Sequence, residues 1–242
     1  MAQVHFIGLS ERGIQDINTD SFCAERIGNF SVFAVADGLA GHPAGRIASD
    51  LAISSLKSAV STMNGSPRTV LENALHDADA QIRRQSEQSR ERAGMGTEII
   101  ACLVDDNLDC TALDIGDGSI YIINADGITT PRERAASAIA GQDTRLREGT
   151  GQNPPLSKMV SHALGEPRVL KDNDFTELNV RDSFLLLSSD GLYDYVKKDT
   201  IQDIVMENGS NLEAACEELI QKALSAGSDG TITVVLVRGE YE

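Results

Sequence analysis

The amino-acid sequence predicts an α+β domain, and three observations carry that reading. Apolar segments with the length and period of β-strands cluster in the middle of the chain and recur near both ends. Stretches with helical spacing come in pairs, one pair before the central strands and one before the last strand. A chain of 242 residues, 41% of them apolar, buries one substantial core, so residues 1–242 are expected to form a single domain.

The elements follow in order. Val4–Leu9 alternates as a strand and Phe30–Ala36 (FSVFAVA) is a buried one, with the polar stretch Ser10–Ser21 between them. The loop Asp37–Pro43 leads into a helix over about Ala44–Ser61, whose apolar positions Ile47, Leu51, Leu56 and Val60 share a face. Asn64–Pro67 breaks the chain before a second helix carrying Val70, Leu71, Leu75, Ala78 and Ile82 on one side. Thr97–Val104 and Cys110–Ile115 pair around the turn DDNLD, and Ser119–Asn124 is a strand closed by Ala125-Asp126-Gly127. Residues 130–155 lose the pattern and are expected as a long surface flap. A short helix is predicted at Met159–Leu164, a strand at Phe184–Leu187 and a helix near Thr200–Met206. Ser210-x-x-Glu213 has the form of a capping box opening the last helix, which Gly227 ends, and Thr231–Val237 is the final strand.

Composition narrows the function classes. A net charge of −16 disfavours nucleic acid and anionic lipid, both of which need a cationic face. The same charge is compatible with divalent cations neutralising a carboxylate cluster. No apolar stretch approaches a membrane span, and charges run through the first twenty residues, so neither a span nor a signal peptide is expected and the protein is placed in the cytoplasm. Cys23, Cys102, Cys110 and Cys216 show no CxxC spacing, and they are expected as buried thiols of a reducing compartment rather than zinc ligands. Trp is absent, which leaves the core to Val, Ile, Leu and Ala.

The informative acids sit at strand ends. Asp37-Gly38 follows FSVFAVA, Asp190-Gly191 follows FLLLSS, Asp229-Gly230 precedes TITVVLV, and Asp20 lies just before Phe22. Carboxylates at the ends of adjacent buried strands can converge although they are distant in sequence, and like charges that meet in a partly buried place repel unless a cation holds them. Oxygen ligands select hard ions such as Mg²⁺ or Mn²⁺. Asp-Gly is also a common turn dipeptide, and each pair taken alone has that plain reading.

The motifs carrying these acids resemble, in order, those of the metal-dependent protein phosphatases (type 2C, the PPM family, in its bacterial form). They are Gly13-x-Gln15-x-x-Asn18-Thr19-Asp20, AVADGLAGHPAG from Ala34 to Gly45, and GMGTEII from Gly94 to Ile100. Asp114–Tyr121 (DIGDGSIY), HALG from His162, LLLSSDGLYD from Leu185 and SDGTITVVLV from Ser228 complete the series. The resemblance runs over residues 4–238. It implies a four-layer α-β-β-α sandwich of two mostly antiparallel sheets, and hydrolysis of phosphoserine and phosphothreonine in proteins by a water activated between two Mg²⁺ or Mn²⁺ ions.

By the same resemblance, Asp37 bridges the cations and the Gly38 carbonyl binds one of them. Asp190 and Asp229 complete the first sphere, Asp20 anchors the second ion, and Asp117 holds a third, weaker one. The implied partner is a phosphorylated protein, either a Ser/Thr kinase or its target. The sequence departs from the pattern where the family arginine that grips phosphate falls on Gln15; a neutral amide cannot make the charged two-pronged contact, and Arg12 is the nearby alternative. Thr19 stands where the family has an acid, and Leu39 occupies the place of the animal enzymes' histidine, so His42 is read as a loop support or proton donor. Gln15 also leaves room for a second reading, a regulatory relative that binds metal or phosphoprotein with little turnover. A third is a plain binding module whose Asp-Gly pairs are only turns.

Overall fold

The computed structural model describes residues 2–39, 44–116, 118–131, 133, 163–166 and 174–241. Among the described residues, ten strands form two antiparallel sheets. One contains β1 (Ala2–Glu11), β10 (Ile232–Tyr241), β9 (Ser183–Ser188), β6 (Ser119–Asn124) and β7 (Gly127–Thr129), in that spatial order. The other runs β2 (Asp20–Ile27), β3 (Phe30–Gly38), β4 (Thr97–Val104), β5 (Asp109–Ile115) and β8 (Phe175–Asn179). The described helices are α1 (Gly45–Thr62), α2 (Pro67–Gln88), the short α3 (Asp190–Tyr193), α4 (Lys198–Asn208) and α5 (Leu212–Ser225).

Side-chain alternation explains the layering. Along β3, Val32, Ala34 and Ala36 face Ala48, Ala52, Leu56, Leu71 and Ala78 of α1 and α2. Phe33 and Val35 point the other way, into a layer shared with Ile100 and Cys102 from the same sheet and Leu185, Leu187, Val235 and Val237 from the opposite one. On the far side, Leu186, Val234 and Leu236 pack against Ile201, Val205, Cys216 and Leu219 of α4 and α5. Central strands are thus apolar on both faces, which is why FSVFAVA and FLLL are continuous runs rather than alternating ones. Three stacked apolar layers make the α-β-β-α sandwich, as expected.

Local signals account for most boundaries. Pro67 opens α2 at a position that needs no amide donor, behind Ser66, whose Oγ accepts from the Thr69 N–H at 3.2 Å. The last helix departs from expectation: the cap is Asn211, whose Oδ1 accepts from the Ala214 N–H at 3.2 Å, and Ser210 lies one residue outside. Three strands were not foreseen, and one of them, β7, lies where only the turn Ala125-Asp126-Gly127 was expected. β2 (DSFCAERI) mixes polar and apolar residues because it is an edge strand, and β8 has Phe175 as its only large apolar side chain before Leu178. The predicted helix at Met159–Leu164 falls largely outside the described residues, but its last residue is not helical: Leu164 forms an antiparallel bridge with Thr97. Most of the 130–155 flap, His42 and His162 also lie outside them. All four cysteines are buried and free, and burial pushes the Cys23 and Cys216 thiols up to about 12, so both stay protonated and inert.

Candidate metal centre

Strand register assembles the first part of the site. Asp20 of β2 stands opposite Asp37 of β3, and Asp37 stands opposite Glu98 of β4. Residues directly opposite share a face. Here it is the inner one, because Phe33 and Val35, at even spacing from Asp37, and Ile100, two residues after Glu98, belong to the layer between the sheets. The apolar seam of the sandwich therefore ends in a row of three carboxylates.

The opposite sheet supplies the rest. β9 runs out at Ser188 and delivers Asp190 as the first residue of α3, while Asp229 lies in the turn that enters β10. The two segments are tied together: the Ser228 hydroxyl donates to the Gly191 carbonyl at 2.9 Å, and the Thr233 N–H donates to Ser189 Oγ at 3.0 Å. Thr231 Oγ1 crosses between the sheets and donates to Asp20 Oδ1 at 2.8 Å. Behind the row, Arg46 of α1 donates to the backbone carbonyls of Asn18 and Asp20, at 3.3 and 2.9 Å. Gly38 is held by Thr97, whose hydroxyl donates to the Asp37 carbonyl at 2.8 Å. A β-carbon on Gly38 would fall 2.3 Å from the Gly45 carbonyl oxygen, so only glycine lets the start of α1 close on this loop.

The result is a cleft of about 400 Å³ whose wall carries Asp37, Glu98, Asp190, Asp194 and Asp229. Among the described residues no Lys, Arg or His lines it. Burial first, then the charges of Asp20 and Asp190, hold the Asp37 carboxyl well above the usual carboxylate range. Asp20 is 2% exposed, and its Oδ2 meets no hydrogen-bond donor among the described residues. A buried carboxylate oxygen without a donor among the described residues, beside other carboxylates, fits a hard divalent cation. No three His, Cys, Asp or Glu side chains among the described residues close on one point tightly enough to hold an ion unaided. They line the cleft instead.

Of the residues singled out in the sequence, Asp37, Asp190, Asp229 and Gln15 meet at this cleft, and Asp20 and Gly38 adjoin it. Gln15 is turned aside: its amide donates to the Asp229 carbonyl at 2.9 Å. Arg12 does not line the cleft, and its Nη1 donates to the Asp16 carbonyl at 3.1 Å. Asp117 lies outside the described residues. Ile17, Glu98, Asp194 and Tyr195 also line the cleft and were not singled out. Asp194 and Tyr195 follow from the one-turn helix α3, and the Tyr195 hydroxyl donates to Asp229 Oδ1 at 3.3 Å. Glu98 could have been found by counting the register from Asp37 across to β4.

Comparison with known proteins identifies the family. The profile of the Protein phosphatase 2C family matches residues 7–226. The serine/threonine phosphatase stp of Listeria welshimeri is 29% identical over 216 residues, spanning 86% of this chain and 84% of its own. Protein phosphatase PhpP of Streptococcus pneumoniae is 28% identical over 214 residues, with 86% and 85% covered. The crystal structure of the Mycobacterium tuberculosis serine/threonine phosphatase PstP/Ppp superposes with a TM-score of 0.78 at 25% identity, over 98% of this chain and 99% of that one. The PstP catalytic domain in complex with two manganese ions gives 0.80 at 26% identity over the full length of both chains. With that match over most of its length, the chain belongs to the protein phosphatase 2C family.

Proposed function

We propose that this protein hydrolyses phosphoserine and phosphothreonine in proteins, using two Mn²⁺ or Mg²⁺ ions held in the cleft around Asp37. The observation that carries the reading is the convergence of Asp37, Asp190 and Asp229 from two sheets on one cleft, with the orphaned Asp20 oxygen behind them. The manganese-bound PstP relative supports the choice of cation. Asp37, between the other acids, would hold both ions, with the Gly38 carbonyl as a further ligand of one of them. Asp190 and Asp229 would complete one coordination sphere and Asp20 would anchor the second ion, while Asp117 is assigned a third by the motif it belongs to. When bound, the cations lower the pKa of a shared water and shield the charge of the phosphate.

The protein's own groups do the remaining work. Thr231 and Arg46 fix Asp20 through its side chain and its backbone carbonyl, and Tyr195 and Gln15 fix Asp229 in the same two ways. Ile17, Leu39 and Tyr195 give the cleft an apolar side that limits water around a bound phosphoester. Leu39 cannot donate a proton, which leaves His42 or solvent to protonate the leaving alkoxide. We read residues 1–242 as one catalytic domain that opposes a Ser/Thr kinase in the cytoplasm. The four buried free thiols support that compartment, and no described helix is long and apolar enough to cross a membrane. Nothing in the comparisons supports the low-turnover reading. Phosphate release from a phosphothreonine peptide is the test: activity should require Mn²⁺ or Mg²⁺, vanish with EDTA and return on adding Mn²⁺. Activity that survives exhaustive chelation would sink the two-cation mechanism.

A further inference from the structure

The loop between β1 and β2 leaves its two large apolar side chains in water. Ile14 is 79% exposed and Ile17 58%, the highest values of any large apolar residue among those described. Single exposed apolar residues are ordinary on a protein surface, but these two stand three apart on a loop that is fastened at several points. A β-carbon on Gly13 would fall 2.3 Å from the Gly230 carbonyl oxygen, so the loop lies directly on the turn that enters β10. The Gln15 amide holds the Asp229 carbonyl, and Asn18 Nδ2 donates to Ser10 Oγ at 2.8 Å. A loop tied down in this way presents its isoleucines in a fixed place, and a partner that covers them need not order them first.

The exposed apolar surface is continuous with the cleft. Ile17 and Tyr195 both line it, together with Leu39. Asp229 joins them into one lip: the loop holds its carbonyl through Gln15, and Tyr195, itself 38% exposed, donates to its carboxylate. Ile14 sits in the chain between the two residues, Gly13 and Gln15, that fasten the loop to this lip. A phosphoserine or phosphothreonine reaches the cleft as part of a polypeptide, so the residues beside it must cross the lip. That identifies what covers the apolar surface. The described wall also carries Asp37, Glu98, Asp190, Asp194 and Asp229, and the chain as a whole has a net charge of −16, so acidic neighbours of the phosphorylated residue are repelled.

We infer that Ile14, Ile17 and Tyr195 form a substrate-docking lip, which selects protein segments whose phosphorylated residue is flanked by apolar rather than acidic side chains. The inference rests on the phosphatase reading proposed above and adds to it the class of segment that the cleft accepts.

The test compares kcat/KM of the full chain with Mn²⁺ on phosphothreonine peptides that differ only in the residues next to the phosphothreonine: Leu, Ser or Asp on both sides. The Leu-flanked peptide is expected to react about five- to tenfold better than the Ser-flanked one, as partial burial of an apolar side chain supplies, with the gain in KM. The Asp-flanked peptide should be the poorest. Ile14→Ser combined with Ile17→Ser should bring the Leu-to-Ser ratio down to about one. Ile14→Ser alone should lower the ratio yet leave kcat/KM on p-nitrophenyl phosphate, which has no flanking residues, within about twofold of wild type. Tyr195→Phe keeps the ring and should keep the ratio. Hydrolysis of the Leu- and Ser-flanked peptides at equal kcat/KM overturns this inference alone, as does a ratio that the combined variant leaves unchanged. Failure to hydrolyse any of the peptides overturns the phosphatase reading and the inference together. If Ile14→Ser changes the oligomeric state or lowers Tm by more than about 4 °C while the ratio stays put, the isoleucines pack on a second copy or on the chain itself, and the lip is overturned.

Discussion

The Gln15 side chain donates to the Asp229 backbone carbonyl at 2.9 Å, pinning the β1–β2 loop to the turn that enters β10. A residue at the family's phosphate-gripping position is thus spent on holding the loop of a candidate metal ligand. Arginine at this position would bring to the cleft wall the guanidinium that the described wall lacks, and losing one such preorganised donor in comparable sites costs on the order of a hundredfold. Gln15→Arg is therefore expected to raise kcat/KM on p-nitrophenyl phosphate about tenfold, part of the gain being offset by the released loop. Arg12→Ala should change kcat/KM less than about twofold, because Arg12 bonds the Asp16 carbonyl away from the cleft. The reverse pattern would return the phosphate role to Arg12.

Thr231 supplies the hydrogen bond to Asp20 Oδ1 from the opposite sheet. Valine has nearly the same shape, so Thr231→Val removes the donor without opening a cavity. Hydrogen bonds to charged groups contribute about 1.5–3 kcal/mol, and a buried carboxylate left without donors costs that much or more. The metal-free variant should melt roughly 3–12 °C below wild type, given about 2–4 °C per kcal/mol for a chain of this size. Saturating Mn²⁺ should recover part of the loss by giving Asp20 a new partner. Equal melting temperatures without metal would show that Thr231 does not hold Asp20.

Cation binding should itself be visible as stability. A ligand that binds only the folded state at a hundred times its Kd adds about 2.7 kcal/mol. For this chain that corresponds to a rise in Tm of about 5–11 °C. Mn²⁺ should produce it, EDTA should reverse it, and Ca²⁺ should do less if the cleft favours the smaller ions. A Tm indifferent to Mn²⁺ at millimolar concentration would count against any cation site in the cleft.

The architecture was legible wherever burial wrote a pattern. FSVFAVA and FLLLSS were readable because both faces of β3 and β9 are covered, and α1 and α2 were readable from one apolar stripe each. β2 was missed because this edge strand mixes Asp20, Ser21, Glu25 and Arg26 among its apolar residues on both faces. Of the site, Asp37, Asp190 and Asp229 stood out because each abuts an apolar strand next to a glycine. Glu98 did not, since its meaning lies in the pairing of β3 with β4, a relation between residues 61 positions apart. The aim of Gln15 toward Asp229, 214 residues away, was hidden for the same reason.

Asp37 gives the last prediction, through pH. In the metal-free fold, burial and the neighbouring charges of Asp20 and Asp190 raise its pKa well above the ordinary carboxylate value. A raised carboxyl pKa means that the folded state holds the proton more tightly than the unfolded chain. At intermediate pH the folded state therefore binds more protons, and stability falls as pH rises. The contribution is fully present below the unfolded value of about 4 and is lost progressively up to the raised folded value. Each unit of that rise corresponds to about 1.4 kcal/mol, or roughly 3–6 °C in Tm. Metal-free wild type should melt lower at pH 8 than at pH 5, and Asp37→Asn, which carries no charge to lose, should flatten that slope while melting no lower than wild type at pH 8. Phosphatase turnover in the variant should fall at least about a hundredfold if Asp37 holds the cations as proposed. Mn²⁺ competes with the proton for the same oxygens, so its affinity for wild type should climb over the same pH window. A variant with the wild-type slope would place the titrating group elsewhere, and one with near-normal turnover would displace Asp37 from the centre of the site.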